Sequence, residues 1–435
     1  MATSQARASL YRTVWRWHFY AGLFVIPFIL LLSVTGALYL FKPQVERWEE
    51  RAFNGGKVER IVLPSEQVSA ALAAFPRASL HSYRLPELPG DAAMIHLGLP
   101  DGRTMRDVFV SPGGKVLGSL DPESRIMEVV KTIHGQLLIG KRGSWLVELA
   151  ASWAIVMIAS GLYLWWPRDR LIAGVLWPRL GKGKRIFLRD LHAVTGFWVS
   201  GLALILLVTG LPWAGLWGSA FKSVRAELGW VKGPQDWTLG GEDVHAGHDH
   251  DAMMQGHAGH HASSITGLDE IALKAQIEAL AFPVMITPPG APGRFGKPGD
   301  PVWTVRSDAQ NRPQRVTITY DPTSHTELSR EGFADSHLVD RVVGYGIAWH
   351  EGQLFGWINQ LIGVLTAIGL VRLAISGFLL WRRRKPADAL GAPTPATVPA
   401  RMGGVMVLLL VLAVLLPMLA GSLVVVWLVG QLVLP

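Results

Sequence analysis

Residues 15–36 read WRWHFYAGLFVIPFILLLSVTG. An ionisable ring, His18, stands at the mouth of an apolar run long enough to cross a bilayer, which takes about 20 residues. Ionisable side chains at membrane depth are costly, and a histidine there needs a reason. Arg16, Trp15 and Trp17 crowd the same turn, as interfacial anchors do. One histidine does not separate an anchor from a ligand, so the question is whether the pattern recurs.

It does recur. His18 is followed by Gly22 and then Thr35-Gly36; His192 is followed by Gly196 and then Thr209-Gly210, so both read H-x3-G-x12-T-G without a gap. A second pattern also repeats: His134 precedes Ser160-Gly161-x3-Trp165 and His350 precedes Ser376-Gly377-x3-Trp381, each with 25 residues between histidine and serine. Gly140 and Gly356 fall in the same register. The chain is two copies of one unit, span then outer domain then span, with a further apolar segment at the end. An even number of spans per copy makes the repeat parallel rather than inverted.

The bulk numbers agree with a membrane protein. Of 435 residues, 50% are hydrophobic, with 18 tryptophans and a mean hydropathy of +0.29. Five spans are expected, at about 19–41, 145–166, 193–217, 356–381 and 403–430. The net charge of +8 is concentrated in short segments: seven Lys/Arg against two Asp within 167–190, the run Arg382 to Lys385, and Arg7, Arg12 and Arg16. If the spans alternate, all three lie on one side, where cytoplasmic loops collect positive charge. That accounts for the charge without a nucleic-acid partner. The N-terminus is then cytoplasmic and the long loops periplasmic, in a bacterial inner membrane. The first span is too long for a signal-peptide core and stays as an anchor. With no cysteine there is no disulfide framework or thiolate chemistry.

The division that follows is 1–41 (N-terminus and span 1), 42–133 (outer domain 1), 134–166 (span 2 with an outer extension), 167–191 (basic loop), 192–217 (span 3), 218–349 (outer domain 2), 350–381 (span 4 with an outer extension), 382–402 (linker) and 403–435 (span 5). Each outer domain reads as a small α+β unit. A helix at 65–75, opened by a serine cap, precedes strands at 79–85, 92–99 and 104–110; a helix at 268–281 precedes strands at 302–306 and 315–320. The Pro- and Gly-rich stretch 287–301 reads as a loop, placed to cover a site. Neither unit shows a Ser/His/Asp set or a usable carboxylate pair, so a structural or docking role is favoured there over catalysis.

Topology sorts the four repeated histidines into His18 with His192 near the inner face and His134 with His350 near the outer face. A histidine from each of two facing helices is what axial ligation of a haem inside a bundle requires. Two b-type haems are therefore expected, with His18, His192, His134 and His350 as iron ligands. Gly22 and Gly196, at i+4, share a helix face with their histidines and leave room for a flat macrocycle. Arg16 and Arg189 are placed to pair with propionates, and Arg372, inside the fourth span, is a further candidate. The Thr-Gly and Ser-Gly pairs read as close helix packing. His134 lies a dozen residues before its apolar run, about 18 Å if helical, and Gly140-Lys141-Arg142-Gly143 is where that helix breaks, which puts the outer haem at or just beyond the membrane surface. A second metal-binding feature is the insert 245–261, HAGHDHDAMMQGHAGHH, whose His245, His248, His250, His257, His260 and His261 suit weak Cu or Zn binding in a solvated loop.

At these residues the chain resembles the PepSY-associated transmembrane family. The likeness rests on the W-x-W-H-x3-G opening, H-G-Q-L-L-x-G at 134–140, S-G-L-Y-L-W-W-P-R at 160–168 and V-F-V-S-P-G-G-K-V-L-G at 108–118, and covers about residues 10–385. The resemblance implies an iron-regulated inner-membrane protein of the haem-containing ferric-siderophore reductase type, with two small periplasmic PepSY-like α+β domains on a helical membrane bundle. The expected activity is that of an oxidoreductase passing electrons across the membrane to a ferric siderophore or other ferric chelate. No G-x-G-x-x-G follows a strand, so the donor is a quinol or another redox protein rather than a bound nucleotide. The rival readings are a non-redox membrane anchor whose outer domains bind or restrain a periplasmic partner, and a metal or haem permease, which intact bis-histidine sites disfavour because transport needs release.

Overall fold

A computed structural model describes residues 2–102, 104–167, 174–231, 265–291, 300–395 and 402–433. The first half runs α1 (Ala2–Tyr39), α2 (Lys42–Glu49), α3 (Pro64–Ala74), β1 (Ser79–Arg84), β2 (Ala93–Gly98), β3 (Met105–Val110), β4 (Val116–Leu120), α4 (Ile126–Gln136) and α5 (Lys141–Trp165). The second runs α6 (Lys184–Gly210), α7 (Gly215–Glu227), α8 (Leu268–Ile277), β5 (Val284–Thr287), β6 (Trp303–Ser307), β7 (Val316–Tyr320), β8 (Glu327–Gly332), α9 (Leu338–His350) and α10 (Trp357–Arg384). Two apolar helices follow, α11 (Gly403–Leu415) and α12 (Pro417–Val433). The same order of elements occurs twice, as the gapless motif repeat requires.

Among the described residues, four helices are long and apolar enough to cross a membrane: Ala8–Tyr39, Lys141–Trp165, Lys184–Trp213 and Trp357–Arg384. They close into a ring, with α1 packed on α5 and α10, and α6 packed on α10 and α5. Their outward faces are apolar and exposed, as at Leu31, Val34, Leu38, Leu365 and Ile368, which suits lipid contact.

The fifth span does not form as one helix. Pro417 has no amide hydrogen to donate and its ring disfavours helical backbone at the residue before it; Leu416 is accordingly extended, at φ −127° and ψ 90°. The 13 residues of α11 rise about 20 Å, short of the roughly 30 Å hydrocarbon core. Both helices dock on the bundle. Leu416 and Leu419 bury against Ile155 and Val156, and Trp217 Nε1 donates to the Leu415 carbonyl at 3.0 Å, capping the end of α11.

The outer units are likewise not two separate domains. Their strands form one antiparallel sheet in the order β4-β3-β2-β1-β5-β6-β7-β8. The halves meet where Tyr83 pairs with Ile286 and Arg84 with Met285, and the Leu85 amide donates to the Val284 carbonyl at 3.0 Å. Alternation along β2 sends Ala93, Ile95 and Leu97 to one face and Met94, His96 and Gly98 to the other. The first face is covered by α3 and α8 around Trp303, Ile286, Ile318 and Val108, all wholly buried. Each buried Val, Ile or Leu contributes about 1.5–3 kcal/mol, and because both halves supply such residues to one cluster, they are held as a unit. Ser65 does not cap its own helix. Its amide and hydroxyl donate to Asp269 of α8, at 2.8 and 2.7 Å, so the second half satisfies the first turn of α3.

The second face of the sheet looks toward the bundle, and α4 and α9 bridge the two. The helix break expected at Gly140 is present. Gly140 has φ 60° and ψ −140°, and Gly356, its counterpart, φ 59° and ψ −138°, a region open essentially to glycine alone. At the same corner a Cβ on Gly143 would lie 1.7 Å from the Gln136 carbonyl oxygen, so only glycine lets α5 start there.

Candidate cofactor-binding site

Each repeated histidine is held by the serine or threonine of the other repeated motif in its own copy. His18 on α1 meets Ser160 on α5, with Nδ1 to Oγ 2.9 Å. His192 on α6 meets Ser376 on α10, also at 2.9 Å. His134 on α4 meets Thr35 on α1 at 2.9 Å, and His350 on α9 meets Thr209 on α6 at 3.2 Å. The glycine after each hydroxyl residue makes room for the ring. A Cβ on Gly161, Gly377, Gly36 or Gly210 would sit 3.2 or 3.3 Å from Cε1 of the respective histidine. The pairs taken from the sequence as packing marks are thus the seats of the four rings, and the matching spacing was the signal for that role.

These hydroxyls also fix the tautomer. Thr35 Oγ1 donates to the Leu31 carbonyl at 2.8 Å and Thr209 Oγ1 to the Ile205 carbonyl at 2.7 Å. Ser160 and Ser376 donate to the Met157 and Leu373 carbonyls at 3.2 and 3.1 Å. A hydroxyl has one proton to give. Having given it to the backbone, it accepts from the histidine, so Nδ1 carries the hydrogen and Nε2 keeps its lone pair. That is how metal-ligating histidines are oriented.

The copies then oppose their rings. His134 and His350 lie with centroids 6.3 Å apart and planes at 79°. An imidazole nitrogen bonds a metal at about 2.0–2.1 Å, so two rings at this separation would leave room for one metal ion held by both. His18 and His192 line the same cavity. Thr35 comes 17 residues after His18 on one helix, so the two tiers stand about 25 Å apart along the bundle. The sequence distance of His134 from its span is resolved by α4, which folds back to place the ring against the end of α1. Among the described residues no three His, Cys, Asp or Glu gather to hold a metal ion, so any metal at these tiers would have to rest on paired imidazoles.

One cavity of about 3060 Å³ joins the tiers and opens beneath the sheet. Small-molecule pockets run to about 1,000 Å³, so this one accommodates more than one large ligand. Gly22 and Gly196 line it; a Cβ there would approach Met157 at 3.3 Å and Leu373 at 3.6 Å.

The arginines divide. Arg189 lines the cavity while pairing with Asp190 at 3.0 Å. Arg16 is turned away, donating to the Pro393 carbonyl at 2.9 Å. Arg372 is exposed and lines a separate groove on the outside of the bundle with Ser33 and Leu188. Sequence reasoning missed other cations that do reach the cavity: Arg185, Arg383 and Arg384 at the end near His18, and Lys131, Arg312 and Arg315 at the sheet end. Arg185, Arg383 and Arg384 belong to the basic segments that mark topology, while nothing local marks Lys131, Arg312 and Arg315, which the tertiary fold brings there. The histidine-rich insert at 245–261, with His245, His248, His250, His257, His260 and His261, lies outside the described residues.

Against known proteins, the profile of a family described as the PepSY-associated TM region matches residues 15–384. The match covers both copies of the repeat and stops before α11. No curated protein matches the chain.

Proposed function

We propose, from the premise that the chain belongs to the PepSY-associated TM family, that it is a two-haem membrane oxidoreductase that moves electrons across the bilayer to a ferric chelate. One observation carries this reading. Four histidines, two per copy, have Nδ1 engaged by a hydroxyl and Nε2 left as a donor, and His134 faces His350 at 6.3 Å between ring centroids. His18 with His192, and His134 with His350, would each hold one b-type haem, with Gly22 and Gly196 in the cavity wall and cations at either end for the propionates. Arg189, Arg185 and Arg384 are the inner candidates, and Lys131, Arg312 and Arg315 the outer ones.

Haem held by two histidines at each tier would supply one-electron transfer. The chain's own part is to fix the ligands, exclude water and lead from one side of the membrane to the other. The basic segments favour an orientation with the end near His18 in the cytoplasm and the sheet in the periplasm of a bacterial inner membrane. The cavity opening beneath the sheet is where a ferric siderophore or similar chelate would approach, and a quinol or redox protein would supply the other end.

Reconstitution in closed vesicles tests this. With dithionite outside and a ferric chelate plus a ferrous-specific indicator inside, colour should develop only in vesicles containing the protein. It should fall to the protein-free rate with His192→Ala. An unchanged rate in that variant would exclude transfer through the proposed path.

A further inference from the structure

The face of the sheet turned toward the bundle carries a second pair of imidazoles, unrelated to the four repeated ones. His96 on β2 and His81 on β1 lie with ring centroids 6.0 Å apart, edge to face at 86°. Both line the upper end of the cavity. His96 is oriented as a metal ligand would be. Its Nδ1 lies 2.6 Å from Asp107 Oδ1 on β3, so Nδ1 donates to the carboxylate and Nε2 keeps its lone pair. Asp107 is itself held, with Arg125 at 3.6 Å from its other oxygen.

His81 sits where the β1–β2 register shifts between Leu80 and Ser82. That irregularity gives its ring room to lean over β2. A Cβ on Gly98 would lie 2.6 Å from His81 Nε2, so only the bare glycine lets the His81 ring pack this closely over β2. Gly98 shares its strand face with His96, two residues away, and pairs across the ladder with Met105. Met105 also lines the cavity. The two imidazoles thus share this part of the cavity wall with Met105, the cross-strand neighbour of Gly98.

We propose that His81, His96 and Met105 form a copper site, selective for Cu(I), on the underside of the sheet. The donor set decides the metal. A thioether is a soft ligand that selects Cu(I), and imidazole suits copper as well. Structural zinc wants four closed ligands drawn from Cys, His and carboxylate, and here the one nearby carboxylate, Asp107, is committed to His96 and Arg125. The centroid separation would leave room for one metal ion held by both rings. The site stands on its own residues and does not depend on the haem reading.

The test uses the full chain with His245, His248, His250, His257, His260 and His261 changed to Ser, which removes the loop as a competing chelator. Cu(I) is titrated in competition with bathocuproine disulfonate, and the bound metal is examined by X-ray absorption. Both readouts are independent of haem content. One Cu(I) per chain is expected, with nitrogen and one sulfur scatterer, undisturbed by excess Zn(II). His81→Ala and His96→Ala should abolish it. Met105→Leu, which conserves volume and fold, should remove the sulfur scatterer, and Asp107→Asn should weaken binding by about 10–100-fold. The same copper count and sulfur signal in Met105→Leu, or undiminished copper in the His81→Ala, His96→Ala double variant, would overturn the proposal.

Discussion

At the scale of single residues, the account rests on hydroxyls more than on histidines. An imidazole placed in a membrane protein has two nitrogens and two tautomers, and only the neighbour decides which nitrogen is offered. Ser160 makes that decision for His18. Ser160→Ala should therefore leave the protein folded but weaken haem retention by about 10–100-fold, as loss of an orienting partner does, measured as haem per chain after dialysis against apomyoglobin. Glu351 supplies a pH prediction. Burial raises its pKa above the usual carboxylate value, although Arg312, Lys42 and Arg315 pull the other way. A carboxyl whose folded pKa is raised is neutral in both states at low pH, and its ionisation costs stability as pH climbs past the unfolded value. Glu351→Gln should thus match the parent near pH 4 and exceed it increasingly toward pH 8, read as the difference in melting temperature. A difference that shrinks with rising pH would contradict the assignment.

At the scale of elements, two junctions hold the histidines in place. The first is the α4–α5 corner, where Gly143 meets the Gln136 carbonyl so closely that a Cβ has nowhere to go. Backbone cannot yield as a flexible side chain can, so Gly143→Ala should displace α4 and with it His134, seen as loss of the outer haem while the inner one remains. The second is the clamp of Asp269 on Ser65. Asp269→Ala removes two hydrogen bonds, one of them to a first-turn amide of α3, and should cost about 1–3 kcal/mol, with faster amide exchange in α3 as the local readout. The sequence made some of this legible. Gly140 and Gly356 in matched register announced matched helix starts, and both adopt nearly the same glycine-only backbone. The join between β1 and β5 was not legible. Strand β5 has only four residues, Val284–Thr287, too few for alternation to declare itself, and edge-to-edge pairing leaves no local mark. Pro417 was a readable breaker inside the last apolar run, but hydropathy summed over a long window passes across one proline.

At the scale of the whole molecule, the duplication explains the site. Each copy orients its own two rings, His18 on Ser160 and His134 on Thr35 in one, His192 on Ser376 and His350 on Thr209 in the other. The pairs form only when the copies close the ring of helices. A parallel repeat places equivalent residues at equal depth, so one ancestral pair of positions yields two tiers, about 25 Å apart. The repeat made the histidines legible because it is gapless. The cations at the sheet end of the cavity were not, since Arg312 and Arg315 reach the tier of His350 from the sheet domain rather than from any span. Arg372 had looked placed for a propionate because it is charged within an apolar run; the helix turns it to the outer groove instead.

The most direct measurement is the haem content and absorption spectrum of the purified full-length chain and its four single histidine variants. The account predicts two b-type haems per chain with low-spin bands, one of them lost with His18→Ala or His192→Ala and the other with His134→Ala or His350→Ala. A folded but colourless protein, or a spectrum unaltered in all four variants, would contradict it.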